Sequence, residues 1–323
     1  MNKINKIDEA LSNRQLSENS KNLYKRNLLK LNDNKEIKNF NFLKNKDEVL
    51  TKIKDLKPTT QRSYIISICS ILRDNTKMKK TYDEYFELLK SYNDTLRVNN
   101  EKSTTQEKNW ITQEEVLKVH KTLKEDIENS LSKKRKIDKQ LFKKLLNYMI
   151  LSLYTLIQPR RNKDYSLMRI SSNMDDTNFN YLVIEKSRSD FRNPQGGFDK
   201  KNNMKFILNN YKTEKKYHSV EIDIPDELKQ VILLYLKYHP LKLELKNKEF
   251  NIPFLVEDGK ELKTSTEITK ILNKIFDKKI SSSMLRSIFL TSKYGDLVNE
   301  LKEDTKIMGT SSGVALNNYI KTD

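Results

Sequence analysis

The segment from Leu141 to Ile157 constrains the fold more than any other part of the chain, because it is apolar on almost every side of a helix. Lys143, Lys144 and Asn147 lie within it, which rules out a membrane span. The segment therefore predicts a helix buried in a globular core, with amphipathic elements packed around it. Only 6 Gly and 6 Pro in 323 residues argue against a β-sandwich, a propeller or a Gly/Pro-rich scaffold.

Upstream, three amphipathic helices are predicted. Ser17 caps the first, which carries Tyr24, Leu28 and Leu31 at i, i+4, i+7 spacing. Leu56-Lys57-Pro58-Thr59-Thr60 stops the chain and opens the second, with Tyr64, Ile65, Ile68, Ile71 and Leu72 as its stripe. Tyr82, Tyr85, Phe86, Leu89, Tyr92 and Leu96 mark the third. Stripes at this spacing are core faces before they are binding surfaces. Residues 98–108 have no apolar period and read as a linker. The length suits two domains, here a helical unit over 1–102 and a second unit over 103–323.

The second unit opens at Trp110-Ile111-Thr112-Gln113-Glu114-Glu115, where Thr112 and Glu115 have capping-box spacing. A basic polar run, Ser130 to Lys139, separates that helix from the buried one. Strands are predicted at Tyr181–Glu185, Lys205–Leu208 and Ser219–Ile224, then a helix from Pro225 to His239 and an extended Pro253–Val256. A helix capped by Thr264 with Glu267 follows, and helical segments near 282–293, 295–303 and 312–321 finish the chain. The fold class is thus mostly α with a small antiparallel β-sheet, an α+β arrangement.

Lys and Arg number 62 against 44 Asp and Glu, a net +18, and a polyanion is the first partner such a charge suggests. An AT-rich genome, whose codons favour Lys, Asn and Ile, produces the same bias without function, so charge alone does not decide. Up to Lys102 the count is 22 basic and 14 acidic residues, and the remaining 221 residues hold 40 and 30. Positive charge is therefore denser in the helical unit, as expected of a unit that grips a phosphate backbone. One cysteine, Cys69, and three unclustered histidines, His120, His218 and His239, offer no disulfide framework and no Cys- or His-based metal set; no cofactor is expected. Residues 1–20 are polar throughout, so the expected location is intracellular, in the cytoplasm or nucleus of a cell or an infected host. No membrane partner is expected.

Without such a metal set, phosphoryl transfer on DNA needs a nucleophile and a cluster of cations around the phosphate oxygens. Tyrosine can be that nucleophile through a covalent intermediate. Four places supply the parts. Gln158-Pro159-Arg160-Arg161-Asn162-Lys163-Asp164-Tyr165 follows the buried helix, and Asp164 is placed to orient the Arg161 guanidinium. Asn210-Tyr211-Lys212-Thr213 makes the turn between two predicted strands. In Ser283-Met284-Leu285-Arg286 the first and last residues share a helix face. Met308-Gly309-Thr310-Ser311-Ser312 is a helix stop and cap ahead of a helix bearing Tyr319.

In this order, Arg161, Lys212, Ser-x-x-Arg286, Gly-Thr310-Ser-Ser and Tyr319 resemble the catalytic domain of the tyrosine recombinases of phage-integrase type. The three-residue step from Ser283 to Arg286 and the nine-residue step from Thr310 to Tyr319 match the family's spacings. Leu153-Tyr154-Thr155 with Pro159 to Tyr165 resembles the first family box, and Tyr211-Lys212-Thr213 with Glu221 to Pro225 the hairpin box. Leu16-Ser17-Glu18-Asn19-Ser20 and Thr59-Thr60-Gln61-Arg62-Ser63-Tyr64 are similar to the family's core-binding domain. The resemblance spans nearly the whole chain.

The resemblance implies a DNA recombinase or integrase acting on double-stranded DNA as a tetramer through a 3′-phosphotyrosine intermediate, with neither metal nor ATP. Tyr319 would be the nucleophile, Arg161 and Arg286 the phosphate clamp and Lys212 the general acid, with Arg160 able to exchange roles with Arg161. All of these should fold together beside the phenol of Tyr319. Ser283 and Thr310 stand where the family has histidine (at the second place sometimes tryptophan), and a hydroxyl donates hydrogen bonds but is a poor base at neutral pH. His218 lies a few residues beyond Lys212. A type IB topoisomerase shares the chemistry, and a DNA-binding module descended from such an enzyme shares the surface.

Overall fold

The computed structural model describes residues 6–12, 14–97, 102–133, 137–184 and 203–321. The chain divides into two compact units, 1–103 and 104–323, each with its own apolar core.

The first unit is all helical: α1 (Lys6–Leu11), α2 (Glu18–Leu31), α3 (Lys46–Thr51), α4 (Pro58–Leu72) and α5 (Lys79–Arg97). Ser17 Oγ accepts from the Ser20 amide and caps α2, and Pro58 opens α4, where its missing N–H costs nothing. Leu28, Leu31, Ile65, Ile68, Leu72 and Tyr85 are buried between the helices. The helix stripes expected from the sequence are the core faces observed, except that Phe86 of the third stripe is exposed and stacks on Tyr82. A polar seam runs beside them: buried Asn27 donates to Ser67 Oγ (3.0 Å), and Arg14 bonds the Ser70 carbonyl. Gln61 donates to the Lys54 and Leu56 carbonyls (2.9 and 2.7 Å) and accepts from the Tyr92 hydroxyl. Arg62 Nε donates to Asn93 Oδ1 (2.6 Å). Both side chains thus tie α4 to its surroundings. Cys69 is buried, and burial pushes its thiol up to about 12.

The second unit begins with a short helix α6 (Thr104–Asn109), so part of the expected linker is ordered; residues 98–101 lie outside the described residues. Then follow α7 (Gln113–Lys133), α8 (Lys139–Thr155), α9 (Asn162–Ser166), β1 (Met168–Ser171), β2 (Asn180–Ile184), β3 (Met204–Leu208), α10 (Glu214–Tyr217), β4 (Val220–Asp223) and α11 (Asp226–Lys237). The chain ends with β5 (Asn251–Pro253), β6 (Val256–Glu257), β7 (Lys260–Glu261), α12 (Ser265–Phe276), α13 (Ser282–Ile307) and α14 (Ser312–Val314), which passes into a single π turn over Ala315–Tyr319. Of the basic run at 130–139, the first four residues continue α7 and the last begins α8; 134–136 lie outside the described residues.

As its composition requires, α8 is the central core helix: Leu145, Leu146, Met149, Ile150, Leu151 and Leu153 are all fully buried. It packs against α7, α11 and α12. His120 on α7 meets Ser152 on α8 through its Nε2 (2.9 Å). Both Thr112 with Glu115 and Thr264 with Glu267 make reciprocal capping boxes.

The sheet has the order β4-β3-β2-β1-β5. It is mixed, not all antiparallel as expected: β1 and β2 run parallel, sharing only the Met168–Asn180 and Arg169–Tyr181 positions, while the other pairs are antiparallel. The class remains α+β with helix dominant. A second correction concerns the C-terminal helices. The segments expected at 282–293 and 295–303 are one 26-residue helix, α13, because Gly295 in its interior keeps helical geometry. Among the described residues no helix is long and apolar enough to cross a membrane.

Candidate functional site

The site is built where α8 ends. Buried Pro159 follows the helix, Arg161 takes an extended conformation at the N-cap of α9, and Asn162 starts the next turn inside the protein. Asn162 fixes this turn from three sides. It accepts from the buried Tyr154 hydroxyl (2.5 Å) and donates to the Ser265 carbonyl and Thr269 Oγ1 of α12 (2.8 Å each).

The two arginines have different fates. Arg160, not Arg161, pairs with Asp164: Nε donates to Oδ2 at 2.9 Å, and the carboxyl is 2% exposed. The Arg160 guanidinium also lies 5.7 Å from the centre of the Tyr211 ring. The sequence expectation that Asp164 orients Arg161 is therefore corrected. Arg160 lies four residues before Asp164, across one turn of chain, and makes the direct ion pair, whereas Arg161 at the N-cap acts on Asp164 only through its charge and its backbone. Burial raises the Asp164 carboxyl, and the Arg160 guanidinium, followed by the charge and backbone of Arg161, opposes that rise.

The side chains of Arg161 and half-buried Arg286 have neither an ion pair nor a hydrogen bond among the described residues, although the Arg161 carbonyl accepts from the Asp164 amide (3.0 Å). They are nevertheless neighbours. The Arg286 guanidinium is held below its usual range by burial first and by Arg161 second; Asp164 opposes and Arg160 adds to the effect. Residues 125 positions apart in sequence thus share one electrostatic neighbourhood, in which Asp164 is the nearby carboxylate and its direct ion pair goes to Arg160. Two adjacent cations with no direct ion pair of their own are what an oxyanion requires.

Lys212 lies in the connection between β3 and β4, exposed, in a loop that includes α10. The loop is anchored to the arginine-bearing turn. Buried Asn180 bonds the Asp164 carbonyl and the Asn209 and Asn210 backbone, and Lys163 Nζ donates to Asn210 Oδ1 (2.6 Å). Tyr211, beneath Arg160, sends its hydroxyl to the His218 carbonyl (2.8 Å). His218 itself is exposed, with a positive φ of 56°, and serves this loop through its backbone.

Ser283 is exposed one turn before Arg286. Thr310 and Tyr319 are elsewhere. Thr310 closes the C-terminus of α13: its amide donates to the Thr305 carbonyl (2.9 Å) and the Gly309 amide to the Lys306 carbonyl (3.2 Å), with Gly309 at φ 69°. This is a Schellman motif. At 1.5 Å per residue the helix carries Thr305 roughly 28 Å along its axis from Arg286. Ser312 Oγ stays 3.2 Å from Thr305 Oγ1, and the seven residues from there to Tyr319 reach about 10 Å if helical, too few to recross the distance. Tyr319 is 59% exposed. The expectation that the fold draws it beside the cations is corrected for this conformation. Arg160, Arg161, Asp164 and Arg286 come together with the Lys212 loop beside them, while Thr310 and Tyr319 stand at the end of a helical arm.

The arm has its own character. Leu290, Tyr294, Leu297 and Val298 are exposed along it, the first three on one face. Residues 288–321 contain four lysines and four acidic residues, so the arm is neutral in a strongly basic chain.

Sequence reasoning missed Asn180, and it placed Asn162 and Tyr211 in the site motifs without giving either a role. The available signal for Asn180 was its position directly before the apolar run Tyr181–Ile184, since asparagine is depleted in strands. No family model, curated protein or solved structure matches the chain.

Proposed function

We propose that the chain is a DNA breaking and rejoining enzyme of the tyrosine-recombinase kind. The observation that carries this reading is the pair of neighbouring guanidinium groups of Arg161 and Arg286, neither in a direct ion pair among the described residues, with the Lys212 loop anchored beside them. In the proposed step the Tyr319 hydroxyl oxygen bonds to phosphorus and gives up its proton to water, the bond to the 5′-oxygen breaks, and Lys212 supplies the proton that this oxygen takes up. Arg161 and Arg286 bind the non-bridging oxygens as charge develops. Arg160 is assigned to the scaffold, held by Asp164 and Tyr211. The phosphotyrosine keeps the phosphodiester energy, so the reverse step rejoins the strand.

The remoteness of Tyr319 in this conformation requires that the arm deliver it, and the arm's apolar, neutral surface supports self-association: Tyr319 of one copy serves the cations of another. The same remoteness, with Ser283 and Thr310 in place of histidines, favours the second reading, a DNA-binding module without catalysis.

A DNA substrate nicked so that rejoining is impossible separates the two. The enzyme accumulates a denaturant-resistant covalent adduct that disappears in Tyr319→Phe; intact binding with no adduct in the wild type establishes the module. Mixing Arg286→Met with Tyr319→Phe restores adduct formation if the tyrosine crosses between copies. Under either reading, DNA affinity falls steeply with salt; a flat dependence of log K on log salt rejects both.

A further inference from the structure

Asn180 opens β2 with no solvent exposure and with every hydrogen-bonding group of its side chain used. Nδ2 donates to the carbonyls of Asp164 (2.8 Å) and Asn210 (3.1 Å), and Oδ1 accepts from the amides of Asn209 (2.9 Å) and Asn210 (2.8 Å). One side chain therefore grips both the turn that presents Arg160 and Arg161 and the two residues that launch the Tyr211-Lys212 loop. Neighbouring ties converge on the same joint. Asn210 Nδ2 donates to the Asn178 carbonyl (2.9 Å), Asn209 Nδ2 to the Phe179 carbonyl (3.2 Å), and Ser219 Oγ to Asn209 Oδ1 (2.9 Å). Each of these reaches a side chain of the loop. Asn180 holds the Asn209 and Asn210 amides where the loop leaves β3, while the Tyr211 amide donates to Glu214 Oε2 within the loop (3.1 Å); Asn180 is thus the side chain that ties the start of the Lys212 loop to the arginine-bearing turn.

We propose that Asn180 is a positioning residue that holds the Lys212 loop in register with the arginine-bearing turn, so that one ammonium and two guanidinium groups address the same phosphate. The identity of that phosphate rests on the cleavage reading; the joint itself does not. A serine at this position is too short to span both partners, and a lost buried hydrogen bond opens the amides it protected.

The test uses the full chain with Asn180→Ser. Amide hydrogen exchange at Asn209 and Asn210 is expected to accelerate ~10- to 100-fold, with Leu182 and Phe206 in the adjoining strands unchanged. Unchanged exchange at Asn209 and Asn210, or equal acceleration across the sheet, overturns the proposal. The second readout is cleavage of a substrate with sulfur in place of the bridging 5′-oxygen. There the phosphorus–sulfur bond breaks and the thiolate leaves without a proton, so a misplaced Lys212 no longer matters. Asn180→Ser should be slow on the oxygen substrate and restored toward wild type on the sulfur one. Leu182→Val, a core change away from the loop, should affect both substrates alike. Equal loss on both substrates in Asn180→Ser overturns the proposal. If the wild type cleaves neither substrate, the cleavage reading fails, and a phosphate titration joins the exchange data in deciding the positioning role. Asn180→Ser combined with Lys212→Ala should then weaken inorganic phosphate binding no more than Lys212→Ala alone; additive losses overturn it.

Discussion

Arg286→Met tests the idea that the fold stores an unfavourable cation pair for an oxyanion. Methionine keeps most of the apolar stem that packs in the half-buried position and removes the charge. Burial, Arg161 and Arg160 disfavour the Arg286 charge and outweigh the opposing Asp164, and no ion pair to it is formed among the described residues. A like-charge contact at a partly exposed site costs on the order of 0.5 kcal/mol, the mirror of an exposed ion pair. The variant should therefore melt about 1–2 °C above the wild type at low salt, since ~1 kcal/mol moves the Tm of a unit this size by ~2–4 °C. In 1 M sodium chloride, where the screening length is ~3 Å, the gap should close. Phosphate at about ten times its Kd should add ~1.4 kcal/mol to the wild type and far less to the variant, reversing the order of the two melting points. Thermal denaturation at matched ionic strength, with chloride replaced by phosphate, reads all three. A variant less stable than wild type at low salt, or two proteins equally stabilised by phosphate, would refute the reasoning.

Arg160→Met should act in the opposite sense, because it strands the buried Asp164 carboxyl: a loss of ~2–3 kcal/mol is expected in urea unfolding, and Asp164→Asn in the same background should recover part of it. Acid should weaken the second unit well before its carboxylates protonate. Burial lowers His120 and takes His239 down to about 4, so the unfolded chain binds protons first. Stability from these rings is complete above pH ~6.5 and is lost as the pH falls toward 4, by ~3 kcal/mol for His239 alone. Urea midpoints between pH 7.5 and 4.5 should show that slope, and a flat profile counts against the neutral buried rings. Gly309→Ala should cost about 1 kcal/mol at the end of α13. Its φ of 69° disfavours a side chain although nothing stands within 4 Å of the added methyl. Faster exchange of the Thr310 amide would report it.

Local chemistry was the legible part of this fold. Ser17, the Thr112–Glu115 pair and the Thr264–Glu267 pair cap the helices they were expected to cap, because a cap is decided within four residues. The stripes of α2, α4 and α5, the buried α8 and strands β2, β3 and β4 follow from periodicity in the same way. What escaped depends on partners distant in sequence. β1 and β5 are four and three residues long, and they exist because Ile170 and Ile252 meet across some eighty positions. The parallel pairing of β1 with β2 has no signature in so short a run. Gly295 reads as a break, yet an isolated glycine costs only ~1 kcal/mol within a helix, and α13 passes through it.

The site divides along the same line. Arg160, Arg161, Asp164, Lys212 and Arg286 were identified by type and order, but the exchange of partners at Asp164 was set by backbone geometry at the N-cap of α9. Asn180 was invisible because its four bonds join segments sixteen and thirty residues away. The separation of Tyr319 arises from the unbroken α13, which no spacing between Arg286 and Thr310 reveals.

The buried thiol of Cys69 leaves the native chain with no reactive thiol at neutral pH, since this is its only cysteine. A thiol introduced at exposed Leu316 on the arm, or beside the arginines, would therefore answer thiol-specific labels and form disulfides alone. Whether the arm of one molecule ever visits the basic turn of another thus reduces to a single sulfur–sulfur bond, formed or not formed on DNA.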